Sequence, residues 1–309
     1  MKLNLYQKTA ITTVIATIFL IFVGGLVRAS GAGLGCPDWP QCFGMWIPPT
    51  NAADLPAQYD ASLFNPLHTW LEYINRLVGV LIGFLITLTF LFSFKYRKKD
   101  PIVTLTSGAA FILVLFQGWL GGQVVRSGLS GGMITIHMIV AMIILATLLY
   151  ASFRATREKI KIRVPQKHQK TLTLIAVILF IVTMAQMIIG TQVRESIDFA
   201  KNVLELPRSE WIDMNDWLYL IHRSFSWLVV IPAGLMLYFN RKLNAPSILK
   251  RLGWIIAGLL LLQIFVGLSL EWFNMPGVSQ VIHLVGVAVL ICAELLYILI
   301  LRFSKKRID

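Results

Sequence analysis

The sequence predicts an all-α membrane protein with eight transmembrane helices, arranged as two tandem four-helix bundles related by a pseudo-two-fold axis along the membrane normal. Three observations predict it. Of the 309 residues, 57% are hydrophobic and only 14% charged, where a soluble domain carries about a quarter charged; the mean hydropathy is +0.72. Eight apolar runs are long enough to cross a bilayer, which takes roughly 20 residues each. The second half of the chain then repeats landmarks of the first at a nearly fixed offset.

The runs fall at about 9–28, 66–94, 102–123, 132–153, 171–192, 215–239, 252–273 and 278–301. The first reads as a membrane helix rather than a cleaved signal, since its apolar stretch is long and no small-residue cleavage site follows. Nothing near it resembles an Arg- and Ser-rich transit peptide, which favours a bacterial source. The net charge of +13 is a topology signal. Twenty-one of the 28 Lys and Arg residues lie in the segments on one side of the runs and five on the other, while Arg76 and Arg223 lie within runs. The positive-inside rule puts both termini in the cytoplasm, here of a bacterial inner membrane. A nucleic-acid partner is excluded, because basic stripes on a soluble fold are absent. The two long outer loops, 29–65 and 193–214, suit caps over something held in the membrane.

The repeat is carried by several matched positions. Trp70, Leu71, Ile74 and Arg76 recur as Trp217, Leu218, Ile221 and Arg223, an offset of 147. Gln117 and His137 recur as Gln263 and His283, an offset of 146, and Gly24, Val27 and Arg28 recur as Gly190, Val193 and Arg194. Four helices per copy means that both copies run in the same direction, giving an amino-terminal unit, 1–160, and a carboxy-terminal unit, 161–309. A four-helix bundle is a scaffold that holds cofactors between facing helices.

Five histidines follow. His168 lies in a cytoplasmic polar run and reads as a solvated loop residue. His68, His137, His222 and His283 lie in the outer parts of even-numbered runs, where an ionisable side chain needs a partner. One such histidine is explained by a hydrogen bond between helices. His222 and His283, on the second and fourth helices of one unit and at similar depth, suit bis-imidazole ligation of a haem iron. Zinc is disfavoured, because no thiolate or carboxylate lies at that depth in the unit. The amino-terminal unit departs from this pattern: Asn75 stands at the place of His222, His68 lies seven residues earlier and aligns with Asn215, and Glu72 is added. Such asymmetry suggests one permanent cofactor site and one site for chemistry.

Cys36 and Cys42 flank a short outer-loop segment on an oxidising side, where a disulfide forms readily; it reads either as a loop staple or as a redox-active pair. Cys292 reads as an inert packing residue. Arg28 and Arg194, at the outer ends of helices 1 and 5, read either as partners of haem propionates or as interfacial anchors. Arg76 and Arg223 are deeper and need an internal partner. Glu294 lies eleven residues past His283 on nearly the same face, and reads either as a hydrogen-bonded acid or as part of a proton path.

The segment GGLVRASGAGLGCPDWPQCFG, residues 24–44, resembles the first helix and loop of heme A synthases. Glu72-x-x-Asn75-Arg76, His222-Arg223 and the single histidines His137 and His283 are similar to that family's pattern, over essentially the whole chain. The resemblance implies two four-helix units, a haem b in the carboxy-terminal one and haem O as substrate in the other. The implied reaction oxidises a ring methyl of haem O to a formyl group through two hydroxylations and loss of water, supplying haem A to terminal oxidases. On this basis His222 and His283 ligate haem b, His137 ligates or faces the substrate haem, and Glu72 is the catalytic carboxylate. Many members have His where this chain has Asn75, and His68 is the expected substitute. Iron, held through haem, is the only metal implied. A haem O synthase, an electron donor and a second copy of the chain are candidate partners. A diheme b-type electron-transfer protein and a transporter remain as alternatives; the first leaves Glu72 and Asn75 unexplained, and the second lacks paired broken helices.

Overall fold

The computed structural model describes residues 3–159, 162–212 and 216–307. Its eight long helices are α1 (Leu5–Ser30), α2 (Pro66–Ser93), α3 (Pro101–Arg126), α4 (Gly131–Thr156), α5 (Gln166–Asn202), α6 (Asp216–Lys242), α7 (Ser247–Trp272) and α8 (Gly277–Phe303). All eight are long and apolar enough to cross a membrane. A multi-pass membrane protein follows, since only helices and closed barrels satisfy backbone polar groups in lipid.

Local sequence sets the helix ends. Asn4 caps α1 and forms a reciprocal capping box with Gln7, satisfying two orphan N–H groups. Gly31 ends the same helix at φ 79°, the left-handed conformation that glycine adopts without strain. Pro66 and Pro101 open α2 and α3 at their first positions, where the missing N–H costs nothing. Pro165, Pro246 and Pro276 immediately precede α5, α7 and α8.

The chain divides into two compact units, Met1–Ala151 and Ser152–Asp309. In the first, α1 packs on α2 and α2 on α3. Buried polar pairs tie them: Thr13 with Thr89 at 2.9 Å, and Tyr6 with Ser107 at 2.9 Å. In the second, α5 packs on α6, α6 on α7, α7 on α8 and α8 on α5, a closed ring of four. The Tyr297 hydroxyl donates to Asn240 Oδ1 at 2.6 Å in its core. A short parallel pairing of Arg163–Pro165 with Lys305–Arg307 joins the two ends of this unit. Many large apolar side chains remain exposed along the helices, among them Val80, Leu105, Trp227 and Phe265, as a lipid-facing surface requires.

Two sequence expectations are corrected. The second outer loop was expected from residue 193, but α5 continues to Asn202. Arg194 and Asp198 pair one turn apart on it, and Ile197 and Ala200 are buried, so packing outweighs the polar composition. His168 lies in the first turn of α5 rather than in a loop and is half-buried. Asn215, the repeat partner of His68, lies outside the described residues.

Candidate cofactor and substrate sites

The same local arrangement occurs four times, each on a pair of consecutive helices. A glycine of the odd-numbered helix faces a polar side chain of the even-numbered one: Gly24 faces Asn75, Gly121 faces His137, Gly190 faces His222 and Gly267 faces His283. A Cβ on Gly190 would lie 2.9 Å from His222 Cε1, so only glycine leaves the imidazole room; at Gly121 and Gly267 the corresponding distances are 3.5 and 3.7 Å. Two glutamines brace the helices behind the rings, Gln117 donating to the His137 carbonyl at 3.0 Å and Gln186 to the His222 carbonyl at 2.8 Å. The Nδ1 atoms of His137, His222 and His283 and the Oδ1 of Asn75 are buried with no hydrogen-bond partner among the described residues. Leaving such groups unpaired costs about 1–3 kcal/mol each, which marks these places as built for something further.

The carboxy-terminal unit brings two of them together. The His222 and His283 ring centroids are 6.5 Å apart, with the ring planes at 74°. Two imidazole nitrogens each about 2 Å from one metal ion put the ring centres about 6 Å apart. No group of three or more His, Cys, Asp or Glu side chains gathers to hold a metal among the described residues. Rings so spaced suit a metal whose other ligands come from a non-protein group, as in a haem. One turn from His222's glycine, Arg194 pairs with Asp198 at 3.0 Å and donates to Gln280. Gln280 lies one turn before His283, and the Arg194 Nε is buried without a partner among the described residues. A guanidinium so placed suits a carboxylate at the edge of the site. Further along α8, Glu294 accepts from the Thr183 hydroxyl at 2.8 Å, while its other oxygen is buried with no partner among the described residues. Cys292 is a free, half-buried thiol of that helix.

The amino-terminal unit has one imidazole at the matched depth, His137. Asn75 sits against Gly24 as His222 sits against Gly190. His68 lies in the first turn of α2, half-buried, its N–H capped by Asn65 at 3.1 Å. Seven residues separate it from Asn75, about 10 Å along the axis. Arg28 is half-buried in the last turn of α1.

Glu72, 4% exposed, holds the loop between α1 and α2 onto α2. Its Oε2 accepts from the Cys36 N–H at 2.9 Å, and its Oε1 pairs with Arg76 at 2.5 Å. Removing one partner from a buried pair of this kind costs about 3–5 kcal/mol. Arg76 also donates from Nη1 to the carbonyls of Asp38 at 2.8 Å and Gln41 at 2.7 Å, and from Nη2 to that of Cys36 at 3.4 Å. Thr69 donates to the Gly35 carbonyl at 2.8 Å. Gly35 lies so close to the His68 carbonyl that a Cβ there would overlap it. Cys36 and Cys42 form a disulfide, and with Phe43 they make a small buried core under Met45, Leu55, Tyr59, Phe64 and Tyr73. Partial burial and the Asp38 carboxylate both raise the Tyr59 phenol above its ordinary value. From the same loop the Trp39 ring presses on Gly122, where a Cβ would lie 2.9 Å away, one residue from the glycine facing His137. The loop contacts of Arg76, Thr69 and Trp39 were not foreseen from sequence; the available signal was the four-residue spacing of Glu72 and Arg76.

The chain is thus an eight-helix membrane protein with paired imidazoles in one unit and an imidazole, a buried acid and a disulfide loop in the other. Comparison with known proteins gives the family. The model of the cytochrome oxidase assembly protein family, COX15-CtaA, matches residues 7–295, and the chain belongs to that family. It is 27% identical over 313 residues to the heme A synthase of Shewanella oneidensis, an alignment covering 90% of this chain and 91% of the relative. It is 32% identical over 154 residues to the heme A synthase of Alkalihalophilus pseudofirmus, covering 48% and 46%. Against that of Bacillus cereus it is 29% identical over 160 residues, covering 52% and 45%.

Proposed function

We propose that this chain is a heme A synthase of a bacterial inner membrane. It oxidises a methyl group of haem O to a formyl group through hydroxylated intermediates, and its termini are cytoplasmic. The observation that carries the reading is the inequality of the four matched helix-pair positions. Three hold imidazoles and the fourth Asn75, and the unit with Asn75 is the one that adds Glu72. The family match and the named relatives support it, and the placement of Lys and Arg supports the orientation.

In this reading His222 and His283 hold a haem b, and Arg194 with Gln280 faces its carboxylates. When bound, that haem supplies one-electron transfer. Gly190 and Gly267 leave room for the two rings that would hold the group, and Gln186 fixes the α6 backbone behind His222. The substrate haem O occupies the amino-terminal unit with His137 facing its iron. Asn is a poor iron ligand, so His137 is the principal ligand. His68, two turns further out, is the substitute second ligand, with the substrate ring set outward to reach it. Glu72 lies beside the reacting methyl. Its Oε2, oriented by the Cys36 N–H, keeps a second lone pair to accept a proton or face positive charge developing on the macrocycle, while Arg76 keeps Oε1 in place. The Trp39 loop excludes water on the outer side.

The test is expression in a host that makes haem O but no haem A, followed by haem extraction and chromatography with mass detection. Haem A or its hydroxylated precursor is expected. Two haem b per chain and no new haem type would instead indicate an electron-transfer protein.

A further inference from the structure

Arg76 is unusual for a membrane arginine in what it holds. A guanidinium offers five N–H donors in a fixed fork. Here the fork takes the carbonyls of Cys36, Asp38 and Gln41 and the Oε1 of Glu72. The three carbonyls come from inside or at the edge of the loop closed by the Cys36–Cys42 disulfide. They converge because the loop is closed on itself: Asp38 accepts the N–H groups of Phe43 at 2.6 Å and Gly44 at 2.8 Å, and Cys42 and Met45 exchange backbone hydrogen bonds. The fourth acceptor, Glu72, is bonded to the same loop through the Cys36 N–H. Glu72 is thus gripped from two sides, and both grips depend on one loop shape.

The sequence repeat does not impose this. Arg223, at the matched position, has a side chain 57% exposed and pairs with Glu271 at 3.3 Å, whereas the Arg76 side chain is 13% exposed. Tyr219 stands where Glu72 stands in the other copy.

We infer that Arg76 is a positioning residue that couples the closed Cys36–Cys42 loop to the orientation of the Glu72 carboxylate. The inference rests on the reading of Glu72 as the reacting carboxylate of the haem O site. Opening the disulfide scatters the three carbonyls, frees the Cys36 N–H and leaves Glu72 without its fixed direction. Removing Arg76 does the same from the other side. A lysine cannot substitute, because an ammonium cannot span the carbonyls and the carboxylate in one plane.

The experiment compares wild type, Arg76→Gln, Arg76→Lys, the Cys36→Ser/Cys42→Ser pair and the combined variant in haem O-containing membranes, with bound haem b per chain as the check of folding. Each single change is expected to lower the kcat of haem A formation by roughly tenfold or more with KM little altered, and Lys not to rescue. The combined variant is expected to lose no more than about twofold beyond the worse single one, the non-additivity of groups acting as one unit. Independently of turnover, thiol reagents are expected to reduce the disulfide of Arg76→Gln roughly fivefold faster than that of wild type, read by alkylation mass shift. Losses that multiply in the combined variant, or an Arg76→Gln disulfide reduced at the wild-type rate, would overturn the inference. If wild type makes no haem A while Arg76→Gln still speeds reduction, the functional reading has failed and the loop coupling stands.

Discussion

The two units use matched sequence positions for different ends. At the second helix of the carboxy-terminal unit, Tyr219, His222 and Arg223 give an imidazole aimed at His283 and an arginine turned outward. At the second helix of the amino-terminal unit, Glu72, Asn75 and Arg76 give an acid and a guanidinium locked under a disulfide loop, with no imidazole at that depth. The glycines facing these positions are common to both units, so the scaffold reserves the same space in each. A symmetric pair of strong ligands suits a cofactor that stays; one imidazole and an adjacent acid suit a ring that enters, reacts and leaves. A repeat can therefore divide labour by changing two side chains on one helix while keeping the glycines that face it.

The sharpest break of this comparison is to remove a ligand from the symmetric site. His283→Ala is expected to reduce bound haem b from about one per chain to near none, measured by pyridine haemochrome, since a haem iron is held through its axial residues. Next in size is Glu72→Gln, expected to lower haem A formation by roughly 100-fold or more while haem b remains, as for loss of one preorganised electrostatic group. Gly190→Ala follows. Its Cβ meets the His222 ring at 2.9 Å, and overpacking of this kind costs about 1–3 kcal/mol, so a partial loss of haem b and a lower melting temperature are expected. Asn75→His sharpens the comparison from the other side: it gives the amino-terminal unit a second imidazole and is expected to make substrate or product haem co-purify, slowing release by a few-fold. The smallest effect is expected for Thr183→Val, which takes the one donor from Glu294; interhelical hydrogen bonds of this kind contribute about 0.6 kcal/mol on average, a change for thermal unfolding in detergent to register.

Much of this was legible in the sequence because membrane folds write themselves in hydropathy, and because a repeat flags its own functional positions. The eight runs matched the eight helices, and the offsets that paired His137 with His283 and Asn75 with His222 correspond to equivalent glycine-facing positions. The Cys36–Cys42 disulfide was expected from that loop's oxidising side, with its role as a staple or as a redox-active pair left open. What was not legible were contacts made by backbone atoms. The carbonyls of Cys36, Asp38 and Gln41 leave no mark in a sequence, so Arg76 showed only a need for some partner. The outward extension of α5 was hidden for a related reason. Arg194, Glu195 and Asp198 look like loop composition, and the burial of Ile197 and Ala200 that keeps the helix going is a tertiary fact.

The most direct test of the division of labour is to count bound haem b and newly formed haem A in the same preparations of wild type, Glu72→Gln and His283→Ala. The expected result is haem b without haem A for Glu72→Gln, and loss of haem b for His283→Ala. A Glu72→Gln protein that makes haem A at the wild-type rate, or a His283→Ala protein that keeps its haem b, would contradict the assignment of the two units.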